Sequence, residues 1–160
     1  MRIFFIILFS FFFVISCSKK NRTDQTLTLP STEENAIIVY QEALKSLKEG
    51  QYYIAMKKFD ESESLLPQTN WAAKSSLMSS YCMYSLNFYD EAILNLKRFK
   101  KVYPADSNID YAEYLIAIMY YEQILDEQKD IEPLILSKKT IENFLKKYPN
   151  TDYALDLKFK

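Results

Sequence analysis

The chain has 160 residues, 49% of them hydrophobic and 26% charged, the balance of one soluble globular domain. It contains no histidine and a single glycine, Gly50, which excludes Ser-His and Cys-His nucleophile pairs, histidine metal sites and glycine-rich phosphate loops. A formal net charge of −1 supplies no overall basic field to attract nucleic acid.

Arg2 precedes an apolar run from Ile3 to Ile15, interrupted only by Ser10. The run has 13 residues, whereas a membrane-spanning helix needs about 20. A short apolar run behind a positive start is a secretory signal peptide, expected over residues 1–16. Val14-Ile15-Ser16-Cys17 has the form of a bacterial lipobox: an aliphatic residue, a small residue before the cut, then cysteine. The Cys17 thiol would take a diacylglyceryl group, and its freed amino group a further fatty acyl chain such as palmitate. Several acyl chains hold a protein on a bilayer where one does not. Ser18, in the place where aspartate would retain the protein on the inner membrane, points to the outer membrane of a Gram-negative cell, with the chain facing the periplasm. The lipid on Cys17 is the one covalent group expected, with no other cofactor.

Modified Cys17 leaves Cys82 alone, so no internal disulfide is expected. Cys82 lies in Ser79-Ser80-Tyr81-Cys82-Met83-Tyr84 with no adjoining cation to stabilise a thiolate, and reads as a small buried hydrophobe. Residues 17–30 are polar and aperiodic, a lipidated tether whose last 13 residues reach roughly 45 Å when extended. Lys19, Lys20 and Arg22 would sit beside lipid headgroups.

From residue 31 onward the sequence is helical. Ser31-Thr32-Glu33-Glu34 is a capping box, and the first helix runs to about Glu49 before Gly50. Further helices are expected over about 52–66, 70–86 (stopped by Asn87), 89–102, 109–127, 133–148 and from 152 onward, with a charged loop over 126–132. The helices pair, and the pairs repeat. Ala55 and Ala92 are 37 residues apart, as are Pro67 and Pro104, while Pro149 follows Pro104 by 45. A small residue, a large apolar residue four positions on (Phe59, Leu96) and a closing proline form the tetratricopeptide pattern. The expected fold is therefore an all-α solenoid over residues 31–160. Its units lie at about 36–69, 70–107 and 108–151, with the start of another at 152–160.

On the first helix of each pair, spacings of three and four place Tyr40, Leu44 and Leu47 on one face. Leu77, Tyr81 and Tyr84 follow on the next such helix, and Tyr111, Tyr114, Ile118 and Tyr121 on the third. These residues are candidates to line a groove for partners and peptides, since tyrosine combines apolar area with a polar tip. The same spacing serves equally for rings that fill the core between helices. Lys97, Arg98, Lys100 and Lys101, and likewise Lys146 and Lys147, read as solvated helix ends complementing the dipole. The acidic pairs Glu61/Glu63 and Asp90/Glu91 read as exposed. No catalytic constellation, metal site or small-molecule substrate site emerges, and an enzyme is not expected.

A lipobox and short tether leading into tetratricopeptide repeats resemble the BamD family of β-barrel assembly lipoproteins. The segment Asn108-Ile109-Asp110-Tyr111 with Tyr114 and the closing Lys146-Lys147-Tyr148-Pro149-Asn150-Thr151-Asp152-Tyr153 carry the resemblance most specifically. The resemblance implies a non-enzymatic outer-membrane scaffold that binds barrel-assembly subunits and unfolded outer membrane proteins. Repeats alone also fit a lipid-anchored adaptor in cell division or for peptidoglycan hydrolases. Members of the family have about five repeats, so this chain is expected to be a fragment or to have its end covered by a partner. Leu155, Leu157 and Phe159 would then present apolar surface. The family's C-terminal docking site for the barrel-forming subunit has no counterpart that can be assigned here.

Overall fold

The computed structural model describes residues 31–126 and 131–160. The signal peptide, the lipobox with Cys17, the tether and the centre of the charged loop lie outside the described residues. Seven helices and no strand are present among the described residues: α1 (Thr32–Lys48), α2 (Tyr52–Leu65), α3 (Asn70–Ser85), α4 (Tyr89–Val102), α5 (Ile109–Asp126), α6 (Glu132–Lys147) and α7 (Asp152–Leu157). They form an all-α, tetratricopeptide-like solenoid.

Local chemistry sets the helix ends. The Ser31 amide donates to Glu34 Oε2 at 2.8 Å, and the Glu34 amide to Ser31 Oγ at 3.2 Å, completing the capping box. Thr69 and Thr151 cap α3 and α7, each accepting from the amide three residues on at 3.2 Å. Gly50 and Asn87 take positive φ, 72° and 61°. Behind each, the same two bonds close the preceding helix: Gly50 and Asn87 donate three residues back at 3.0 and 2.9 Å, and Gln51 and Phe88 five back at 2.9 Å. Asparagine tolerates the left-handed region well enough to stand in for glycine here.

The repeat fixes where helices touch. Ala55 and Ala92 are fully buried, as are Phe59 and Leu96 four residues on. Ser137, also buried, fills the small-residue position of the third pair. Phe99 of α4 and Phe144 of α6 occupy equivalent buried positions; in α2 that position holds Ser62.

Successive odd-numbered helices (α1 and α3, α3 and α5, α5 and α7) approach within backbone contact distance, while among the described residues α2, α4 and α6 do not approach one another so closely. The odd-numbered layer is therefore the inner one, and the even-numbered layer splays outward. Leu155 and Phe159 are exposed, 56% and 89%, but Leu157 is buried against Ala117, Ile118, Phe144 and Ala154. One face of α7 is thus core rather than open surface.

Candidate functional site

The inner layer carries a connected array of tyrosines. The ring centroids of Tyr111 and Tyr114 on α5 lie 6.3 Å apart, and those of Tyr114 and Tyr153 on α7 lie 4.8 Å apart in a stacked arrangement. Tyr111 also meets Tyr153 at 5.5 Å. On α3, Tyr81 and Tyr84 are 6.4 Å apart, and Tyr84 continues to Tyr89 of α4 at 6.1 Å. Offset and edge contacts at these distances hold rings in fixed orientations while leaving an edge open.

Two carboxylates anchor the array from within. The Tyr84 hydroxyl donates to Glu122 Oε1 at 2.9 Å and the Tyr89 hydroxyl to Glu122 Oε2 at 2.8 Å. The Tyr114 hydroxyl donates to Asp156 Oδ2 at 2.9 Å. Burial, reinforced by the Asp156 carboxylate, pushes the Tyr114 phenol up to about 12. Burial likewise raises Tyr111 to about 12. Tyr84 moves upward for the same two reasons, burial first and Glu122 second. All three stay protonated at neutral pH and present donors and ring edges, with no phenolate chemistry.

The remaining candidates divide by depth. Of all ten, Leu77 and Ile118 are buried in the core, whereas the other eight keep some accessible surface. Tyr40 is wedged edge-on between Phe59 and Trp71, at 5.4 and 5.3 Å, and burial raises its phenol. Leu44 and Leu47 pack against the core cluster of Ala43, Ala55, Met56, Phe59 and Cys82. The Lys160 ammonium sits 5.2 Å from the Tyr121 ring centroid. Tyr81, Tyr111 and Tyr121 make no side-chain hydrogen bond with the described residues. Trp71, Glu122, Asp156 and Tyr153 were missed as members of this surface. A stripe drawn on one helix at a time cannot reveal partners on the next.

Four charged groups, Glu63, Arg98, Lys100 and Lys147, depart from their sequence reading because they bind across helices. Glu63 has only 13% of its side chain exposed and takes a two-pronged bond from Arg98, Nη1 to Oε1 at 2.8 Å and Nη2 to Oε2 at 2.7 Å. Lys100 of α4 and Lys147 of α6 both reach Glu113 Oε1 of α5 at 2.8 Å. Cys82 is buried, and burial, with Asp60 adding, lifts its thiol to about 12. It is an inert packing residue. Among the described residues no helix is long and apolar enough to cross a membrane.

A helical solenoid with a tyrosine-lined inner layer meets a matching family model, described as an outer membrane lipoprotein (YfiO), over residues 32–160. The chain belongs to that family. The outer membrane protein assembly factor BamD of Caulobacter vibrioides is 35% identical over 133 residues, covering 83% of this chain and 44% of that protein. The protein of the same name in Rickettsia prowazekii is 33% identical over 122 residues, covering 76% and 49%. That of Neisseria gonorrhoeae is 26% identical over 128 residues, covering 74% and 48%. The chain therefore spans about half the length of the relatives it matches.

Proposed function

We propose that the chain is a non-enzymatic scaffold in outer membrane protein assembly, anchored to the outer membrane through lipid on Cys17 and facing the periplasm. Its inner face would grip extended segments of unfolded outer membrane proteins and contact other subunits of the assembly machinery. Family membership and the role of the BamD relatives as outer membrane protein assembly factors support the general assignment. The observation that carries the groove is the division of labour among the tyrosines. Tyr84 and Tyr114 give their hydroxyls to internal carboxylates and stiffen the wall, while Tyr81, Tyr111 and Tyr121 keep hydroxyls uncommitted for an incoming backbone. An extended peptide offers such acceptors at every residue, whatever its sequence.

The test is a titration of the full chain with a peptide from the C-terminal strand of a barrel protein. Replacing Tyr81 and Tyr121 with alanine should weaken binding about tenfold, or ~1.4 kcal/mol, with the circular-dichroism melt unchanged. Undiminished affinity in a folded variant would remove the groove from the proposal. Cys17→Ala should release the protein from the outer-membrane fraction.

A further inference from the structure

Because the even-numbered helices splay, α4 and α6 leave a cleft between them that is floored by the outer side of α5. The cleft has a volume of about 300 Å³, the lower end of the range for small-ligand sites. It lies on the side of the solenoid away from the tyrosine array. Three ammonium groups line it, Lys97 and Lys100 from α4 and Lys139 from α6, against one carboxylate, Glu113. That carboxylate is already bridged by Lys100 and by Lys147, so it does not neutralise the others. Lys97 donates only to the Tyr120 hydroxyl oxygen, at 3.0 Å, which leaves the Tyr120 proton free to donate into the cleft. The side chains of Lys139 and Asn143 are exposed and make no hydrogen bond or ion pair with the described residues.

The donors thus come from three helices and converge from different directions: two ammonium groups, a phenol and a carboxamide. A planar carboxylate offers acceptors in one plane, whereas a tetrahedral phosphate offers them in several. Ile116 and Leu136 form an apolar part of the lining, which suits the carbon substituent of an ester better than a fully hydrated ion. A larger cleft of about 610 Å³ at the other end of α4 is bordered by Asp90, Glu91 and Glu132 and would repel the same ligand. Of these two clefts, the one between Lys97 and Lys139 has the charge to suit an anion.

We propose that the cleft between α4 and α6 binds a phosphate ester, supplied either by an anionic phospholipid headgroup or by a soluble phosphorylated molecule. The site is separate from the peptide groove and does not depend on it. The experiment uses the full chain in maltoside micelles, with the Ile116 methyl resonance as a reporter from the cleft lining. In one arm the solution is titrated with glycerol 3-phosphate; in the other the micelles are doped with phosphatidylglycerol. A saturable displacement of the resonance is expected in at least one arm, with a midpoint at least tenfold weaker in the folded double variant K97Q/K139Q. A response to phosphatidylglycerol alone assigns the headgroup, a response to glycerol phosphate alone assigns a soluble ligand, and a response to both assigns the phosphate ester itself. A flat resonance in both arms overturns the proposal. So does an equal displacement by sodium acetate at matched ionic strength, or unchanged affinity in K97Q/K139Q.

Discussion

The two junctions between helix pairs are built from different materials. Where the first pair meets the second, a row of hydroxyls is buried beside the Met56–Phe59–Cys82 cluster: Ser62, Ser75 and Ser79 are withdrawn from solvent, with Ser76 and Ser80 buried on the α4 side of α3. Ser62 Oγ donates to the Ala36 carbonyl at 2.9 Å and accepts from Ser75 at 3.0 Å, and Ser79 donates to Asp60 at 2.5 Å. Inside the second pair Asn95 donates to the Ser76 carbonyl and to Ser80 Oγ, at 3.2 and 2.8 Å, and Arg98, which bridges back to Glu63 of the first pair, also reaches Ser76 Oγ at 2.9 Å. Where the second pair meets the third, Leu115, Ile116 and Met119 pack on Leu77, Ile93 and the fully buried Phe99, and the Tyr111–Tyr114–Tyr153 rings continue this apolar side toward α7. Small hydroxyls let helix backbones come close and fix their register through directional bonds. Bulky rings bury more area but constrain direction less.

The largest expected effect separates the junctions by size. Phe99→Ala opens a cavity in the apolar junction and should cost about 3–5 kcal/mol, read as a lowered urea midpoint. In the polar junction, Ser62→Ala removes the acceptor of Ser75 and should cost about 1–3 kcal/mol. Adding Ser75→Ala should cost less than the sum of the single changes, because no donor is then left unpaired. A fully additive double-mutant cycle would mean the two hydroxyls act independently. Tyr114→Phe, which keeps the ring and removes the bond to Asp156, should lower stability by about 1 kcal/mol and leave the polar junction untouched.

The smallest effect is one of sign. Burial alone would raise Glu113, but hydrogen bonds from Lys100 and Lys147 reverse this and hold it below the usual carboxylate range. Its contribution is therefore complete above the ordinary carboxylate pKa and is lost as pH falls through the lowered folded value. Asp60 is raised, chiefly by burial, although Ser79 and Lys57 oppose the shift. Folding favours its protonated form, so its contribution improves as pH falls through the raised folded value. Urea midpoints between neutral and about pH 4 should fall less steeply with acid in Glu113→Gln and more steeply in Asp60→Asn. Each change should amount to less than about 1 kcal/mol.

Much of the fold was legible because it rests on local chemistry. The alanines at 55 and 92, the prolines that close each pair, the Ser31 box and the stops at Gly50 and Asn87 act within a few residues of themselves. The polar junction was not legible. Ser75-Ser76 and Ser79-Ser80 carry no hydropathy signal of burial, and their partners on α2 and α4 are set by how the pairs stack. Arg98 illustrates the same limit: on its own helix it is a solvated cation, and only stacking brings it to Glu63, 35 residues earlier. In the candidate site, spacing placed the tyrosines on one face of each helix. It carried no information on which hydroxyls meet Glu122 or Asp156 and which stay open.

Trp71 gives this molecule a built-in optical gauge. It is the sole tryptophan in the chain, seated at the start of α3 with its ring 5.3 Å from Tyr40 on α1 and the Lys74 ammonium 5.1 Å above it. Indole emission excited at the red edge therefore reports on the polar junction alone, whereas tyrosine absorption is spread over both. Any loosening between the first two helix pairs should shift that emission toward the red before the bulk of the helical signal is lost. The molecule can thus be watched coming apart from one end without attaching a dye.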